Sequence, residues 1–255
     1  LARDMQHAGQ QDRLADLRLR IARLEGRSRR TGPLPFGIAQ IDDHLPGGGL
    51  ARGVLHEMIK AGVASEFAGC ATLFTAGIAA RLKGPVLWCL TRRDLFAPGL
   101  SRAGLHPDRV IYAEAPRDQD ILPLVEEGLH EKGLAAVVGE VTRLDLTASR
   151  RLQLAAEGSG VTALIIRRWW TVAEKDLVRL PTAATTRWRI APAPSEGMPA
   201  PGLGCDRWQA ELLRCRGAEP RTWIVEACNA KGRLALPADL AHRPGQAAVR
   251  GAATR

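Results

Sequence analysis

Five short, mostly apolar runs, each separated from the next by a stretch with helical periodicity, constrain the fold of this chain more than any other feature. They are Val54 to Ile59, Pro85 to Leu90, Val110 to Ala113, Leu134 to Val138 and Val161 to Ile166. A strand with one face in water alternates apolar and polar residues, whereas a strand covered on both faces does not. Between these runs the spacing predicts helices over 66–82, 96–104, 118–131 and 145–157. Strands alternating with helices imply a mainly parallel sheet with helices on both faces, an α/β fold. At 255 residues and 45% hydrophobic content, the chain has material for one such domain with extensions.

The texture changes after Arg179. Thr185 to Ile190, Trp208 to Cys215 and Thr222 to Ala227 predict strands, and Gly217 to Pro220 joins the last two into an antiparallel hairpin. Pro192 to Gly204 is a Pro/Gly loop. Ahead of the core, residues 10–27 predict a helix on which Leu14, Leu17, Ile21 and Leu24 form one apolar face, with Arg13, Arg18, Arg20, Arg23 and Arg27 on the others. Two heptads fall short of an autonomous coiled coil, so this face either packs on its own domain or docks onto a partner. The chain divides into a helix and linker (1–30), a core domain (31–230) and a flexible tail (231–255) that lacks periodicity.

A net charge of +9, from 36 Lys and Arg against 27 Asp and Glu, favours contact with nucleic acid or an acidic protein surface. No run approaches the ~18 apolar residues of a membrane span, and the basic start is unlike a signal peptide, so a cytoplasmic protein is expected. The five cysteines are scattered without a C-x-x-C and are expected as buried free thiols.

The strand ending near Ile59 runs into Lys60-Ala61-Gly62-Val63-Ala64-Ser65-Glu66-Phe67. A phosphate loop of the form G-x-x-x-x-G-K-[ST] needs a lysine for the β/γ oxygens and a hydroxyl for Mg²⁺. No Lys-Ser or Lys-Thr pair occurs anywhere in this chain, and Glu66 puts a carboxylate where a triphosphate needs positive charge. Other chemistries lack their groups too: His56-Glu57-Met58-Ile59-Lys60 has no second His of a zincin helix, and there is no G-x-S-x-G elbow.

Phe36-Gly37-Ile38, Ile41-Asp42, Leu45-Pro46-Gly47-Gly48-Gly49-Leu50, Gly53 and His56-Glu57 closely resemble the opening of RecA-family domains. Together with Arg214-Cys215-Arg216-Gly217 and Trp223-Ile224-Val225-Glu226, they resemble the ImuA proteins, a RecA-related group also called SulA-like. The likeness covers about residues 34–230. It implies a RecA-like three-layer sandwich with a mainly parallel central sheet, an N-terminal helix and a C-terminal antiparallel hairpin. It also implies where ATP chemistry would sit. The Mg²⁺-orienting acid is expected at the end of Leu134 to Val138, where Gly139 stands, with Glu140 one residue later and on the opposite strand face. A water-activating carboxylate is expected after Leu90, where Asp94 stands. Without the lysine, no ATPase activity and no cofactor are expected.

Arg167-Arg168-Trp169-Trp170 follows the last apolar run, at the carboxyl edge where ligands and partners of α/β sheets bind. Arg and Trp grip phosphates and stack on bases, and they are also frequent interface anchors. Against this stands the plain alternative of one Trp capping the core beside solvated arginines. Arg92, Arg93, Arg187 and Arg189 are candidates to widen a DNA- or partner-binding patch. The ImuA resemblance implies a non-catalytic adaptor of the SOS response that supports error-prone translesion synthesis. Its implied partners are a Y-family polymerase-like protein (ImuB), an error-prone replicative-type polymerase and RecA itself, with association at the nucleoid on DNA damage. A DNA-dependent ATPase, a plain single-strand binder and a cell-division inhibitor are the alternatives.

Overall fold

The structure is a computed structural model and describes residues 32–169, 171, 180–195 and 205–237. The helix bearing Leu14, Leu17, Ile21 and Leu24, Trp170, and the tail after Pro237 lie outside the described residues.

One sheet of eight strands forms the middle layer: β1 (Leu55–Lys60), β2 (Val86–Leu90), β3 (Val110–Glu114), β4 (Ala136–Val141), β5 (Thr162–Arg167), β6 (Thr186–Ala193), β7 (Arg207–Cys215) and β8 (Arg221–Glu226). Their spatial order is β3-β2-β4-β5-β1-β6-β7-β8. The pairs from β3 to β6 are all parallel, and β7 and β8 add on antiparallel as the expected hairpin. The helices are α1 (Ala39–Asp42), α2 (Ser65–Arg81), α3 (Ala97–Arg102), α4 (Ile121–His130) and α5 (Leu146–Ser159).

Because all of β1, β4 and β5 is buried, alternate side chains enter two separate cores. Met58, Trp88, Val138, Leu164 and Trp188 join Phe74 and Ile78 of α2 on one face. Leu55, Val137 and Ile165 join Val125 of α4 and Leu152 of α5 on the other. Helices on both faces of a mainly parallel sheet make this a RecA-like three-layer sandwich. The α2 core extends under the hairpin through Phe36, Phe74, Trp188, Trp208 and Trp223, with ring centroids of Phe36–Trp188 at 5.6 Å and Trp188–Trp223 at 6.0 Å. Among the described residues, no helix is long and apolar enough to cross a membrane.

The opening motif has a local physical cause. The Asp42 carboxylate accepts the backbone N–H groups of Phe36, Gly37 and Ile38 at 2.6, 2.8 and 3.2 Å, which folds the segment back on itself and sends Phe36 into the core. Gly49, at φ 153°, lies under the backbone of Leu34, whose carbonyl oxygen an added Cβ would approach to 2.7 Å. The Gly-rich run is thus a tight turn that brings Leu34 and Leu50 into a β-bridge before β1.

Several boundaries differ from the sequence reading; β6, for one, runs to Ala193, past the expected end at Ile190 and into the expected loop. β4 runs to Val141, past the expected end at Val138, because Gly139, Glu140 and Val141 keep pairing with Ile165, Ile166 and Arg167 of β5. The folded body also passes residue 230. Asn229 Oδ1 accepts the N–H groups of Lys231 and Arg233 at 2.9 and 3.2 Å, and the resulting turn buries Leu234 and bridges Ala235 to Glu226.

Candidate functional site at the carboxyl edge of the sheet

In parallel strands all the carboxyl ends share one edge, and the side chains emerging there define the site. Only residues 61–64 separate β1 from α2, fewer than the six-residue G-x-x-x-x-G stretch that precedes the lysine of a phosphate loop. Gly62 lies under the Phe67 ring, whose Cε2 an added Cβ would meet at 2.4 Å. Lys60 is buried. Its Nζ donates to the Val63 carbonyl at 3.1 Å and lies 5.4 Å from the Trp169 ring centroid, so the one lysine near the loop is tied into the loop's own base. Glu66 stands exposed in the first turn of α2, where the helix dipole favours a carboxylate.

The two acids of the sequence reading meet on one cation. Arg168, just past β5, donates from Nη1 and Nη2 to Asp94 Oδ1 and Oδ2 at 2.9 and 2.6 Å, and from Nη1 to Glu140 Oε2 as well. The Trp88 indole N–H donates to Glu140 Oε1 at 2.8 Å. Burial pushes the Glu140 carboxyl up against the pull of Arg168. Asp94, half-exposed, is also raised by desolvation, but the Arg168 hydrogen bonds and charge outweigh this and hold it below its ordinary value. At position 139, an added Cβ would lie 2.5 Å from Val125 Cγ2 and 3.0 Å from Ile165 Cδ1, so the second core leaves no room there for a carboxylate.

A second cluster lies on the opposite face of the sheet. Glu57 of β1, fully buried, accepts from Arg167 Nη1 at 2.8 Å through Oε1, and from Arg187 Nε and the Thr182 hydroxyl at 2.8 and 2.9 Å through Oε2. Arg167 also donates to the Thr142 carbonyl from Nε and Nη2, and Arg187 to the Leu180 carbonyl at 2.8 Å. Desolvation lowers the Arg167 pKa against the opposing charge of Glu57. One carboxylate against two guanidiniums ties β1, β5 and β6 together, while other donors go to the Thr142 and Leu180 carbonyls and the Thr182 hydroxyl.

The predicted residues therefore separate. Arg167 and Arg168 are buried, which corrects the expectation of surface arginines; β5 continues through Arg167, and acids on neighbouring elements receive both side chains. Trp169 is buried too, its Nε1 donating to the Lys60 carbonyl at 3.2 Å. Arg187 turns inward to Glu57, while Arg189, on the same face of β6, stays half-exposed against Glu211 at 2.5 Å. Arg92 and Arg93 are exposed in the loop after β2, with Arg93 Nε 2.6 Å from Glu114. Sequence reasoning missed Glu57 as the hub of the second cluster. A carboxylate in the middle of an otherwise apolar central strand was its signal, because such a charge has to be met by another.

The cysteine expectation also needs one correction. Cys70 and Cys89 are buried, but Cys205 is exposed and Cys215 and Cys228 are partly so.

Fold and site together define a RecA-like domain whose carboxyl edge is closed by its own ion pairs. Comparison with known proteins places it further. The chain is 40% identical over 213 residues to Protein ImuA of Caulobacter vibrioides, in strain NA1000 and equally in strain CB 15, an overlap of 80% of this chain and 87% of that protein. The chain belongs to the ImuA family. No family model matches it.

Proposed function

We propose that this chain is a non-catalytic, RecA-like adaptor of DNA-damage-induced mutagenesis. It serves error-prone translesion synthesis by binding a Y-family polymerase-like protein of the ImuB type and an error-prone replicative-type polymerase. Membership of the ImuA family supports the pathway. The observation that carries the adaptor reading is Arg168 held between Asp94 and Glu140. Phosphoryl transfer needs a carboxylate free to orient metal and water and positive charge free to meet the phosphates. Here both acids are spent on an internal guanidinium, and the short loop after β1 is packed by Phe67. A scaffold held by internal ion pairs keeps one conformation without nucleotide, which suits a partner-binding surface.

Two measurements test this. Calorimetric titration of the full chain with Mg²⁺-ATP, with and without single-stranded DNA, is expected to show no saturable binding; a nucleotide-dependent heat would overturn the non-catalytic reading. A tagged pull-down from nuclease-treated extract of DNA-damaged cells is expected to recover the polymerase-like partner. Loss of all bound protein once nucleic acid is digested would replace the adaptor with a DNA-binding module.

A further inference from the structure

Three arginines gather at the amino edge of the sheet, around the turn that opens the core. Arg81, the last residue of α2, donates from Nη1 to the Pro35 carbonyl and from Nε to the Gly77 carbonyl at 3.2 Å. Its guanidinium carbon lies 5.0 Å from the Phe36 ring centroid. Arg233 reaches the same tripeptide from the far end of the fold, with Nη1 2.9 Å from where a Cβ on Gly37 would stand. Gly37, at φ 83°, thus leaves the space that this guanidinium occupies. Arg52 comes two residues after the Leu34–Leu50 bridge that ties this turn down, and its buried Nε has no hydrogen-bond partner among the described residues. Desolvation lowers the Arg81 pKa to about 10; Arg233 and Arg52 add to the fall, and Cys228 and Asp42 oppose it. The three cations therefore feel one another.

Asp42 is the carboxylate that Arg81 feels here, and its oxygens already accept the Phe36, Gly37 and Ile38 N–H groups. Among the described residues none of the three arginines forms an ion pair, whereas the buried Arg167 and Arg168 each meet a carboxylate. Partly desolvated like charges are unfavourable unless an anion offsets them. Three guanidiniums against one carboxylate leave two positive charges to be met. A carboxylate carries one charge and fits a single guanidinium fork, while a phosphate dianion carries two and offers oxygens on every side. We propose that Arg52, Arg81 and Arg233 form a binding site for a phosphate dianion, as inorganic phosphate or as the phosphomonoester of a nucleotide or strand end. Arg81, held on two carbonyls, is the fixed floor of the site and keeps Nη2 for the ligand. Arg233 stands exposed beside exposed Pro35 and Gly37, so the ligand enters from solvent on that side. The site lies at the opposite end of the sheet from the ion-pair clusters, and its failure would leave the adaptor reading standing.

The test is a calorimetric titration of the full chain with inorganic phosphate at about pH 8, where phosphate is doubly charged, with chloride holding the ionic strength constant. One saturable site per chain is expected. Arg233→Gln and Arg52→Gln should each weaken it about tenfold or more, as loss of a charge-assisted hydrogen bond does. Arg233→Lys, which keeps the charge without the fork, should fall between. Arg233 is exposed, so its variants keep the fold, and Arg151→Gln, on α5, should bind phosphate like the parent. A second arm compares two single strands of one sequence, with and without a 5′-phosphate. Tighter binding of the phosphorylated strand, lost in Arg233→Gln, assigns the site to a strand end. Equal binding of the two strands beside a saturable phosphate site assigns it to free phosphate or a mononucleotide. Absence of a saturable phosphate heat, or a heat that survives both glutamine substitutions, would overturn the proposal.

Discussion

Two pairs of arginines at the same edge of the sheet have opposite fates. Arg167 and Arg168, at the end of the central strand β5, are drawn inside and matched against Glu57, Asp94 and Glu140. Arg92 and Arg93, in the loop after β2, remain in water, and Arg93 shares one ion pair with Glu114 at side-chain exposures of 82% and 44%. Residue type is identical, and distance from the strand end decides. A guanidinium in or next to a strand flanked on both sides must be desolvated, so it survives only where carboxylates and carbonyls take up its donors. Arg92 and Arg93 stand past the end of β2 at Leu90, out of the ladder, and keep their hydration. The inner pair holds the scaffold, and the outer pair stands at the surface.

The comparison breaks most sharply at Arg167. Arg167→Ala leaves the buried Glu57 with only Arg187 and Thr182, and removing one member of a buried ion pair typically costs about 3–5 kcal/mol. Urea unfolding should show that loss. The triple variant Arg167→Met, Arg187→Met and Glu57→Leu should recover part of it, because an apolar cluster carries no desolvation cost. If Arg167→Ala unfolds like the parent, Glu57 is not the hub described here.

His56, next to Glu57 on β1 but facing the other core, sharpens the comparison by handling burial without charge. Its Nε2 lies 2.8 Å from the Ala51 carbonyl and must carry the proton, so Nδ1 accepts from the Thr186 hydroxyl at 2.8 Å. Burial lowers its pKa from 6.5 to about 4, against the raising effect of the Ala51 carbonyl. Between those values the unfolded chain binds a proton that the folded chain refuses. Stability is therefore whole above pH 6.5 and falls as the pH drops toward 4, by about 3 kcal/mol in all. His56→Gln should flatten that part of the pH profile; an unchanged profile would show that another group sets it.

Arg168→Ala is expected to cost less, on the order of 2 kcal/mol. Glu140 can take up a proton once its counter-charge is gone, since burial already raises its pKa, and half-exposed Asp94 is rehydrated. The carboxyl stretch of a protonated Glu140 in difference infrared spectra, absent from Glu140→Gln, checks this. A cost as large as that of Arg167→Ala would mean the two clusters are equally sealed.

Much of this architecture can be read in the sequence. The strand and helix order, the parallel core and the hairpin follow from apolar runs and turn residues whose causes are local. The missing lysine is equally plain, because its loop is contiguous in sequence. The pairing of Arg168 with both Asp94 and Glu140 could not be read this way, since it joins three elements far apart in the chain. The burial of Arg167 escapes the sequence for a related reason. Periodicity ends β5 near Ile166, but Arg167 stays in the strand because Ile59 of β1 and Val141 of β4 still flank it.

The smallest expected stability change carries the most functional information. Arg93→Ala removes an exposed ion pair of a kind worth about 0–1 kcal/mol, and together with Arg92→Ala should shift unfolding by no more than about 0.5 kcal/mol per site. Each outer arginine that contacts a nucleic-acid backbone would lower the steepness with which affinity falls against salt by about one unit of slope. One that contacts an acidic protein partner would slow association with that partner and leave no effect on single-stranded DNA binding. Measuring the double variant against both ligands across a salt series separates these cases. If both interactions survive unchanged, the exposed arginines at this edge meet neither ligand, and the partner surface has to be sought on the face of β6 where Arg189 stands half-exposed against Glu211.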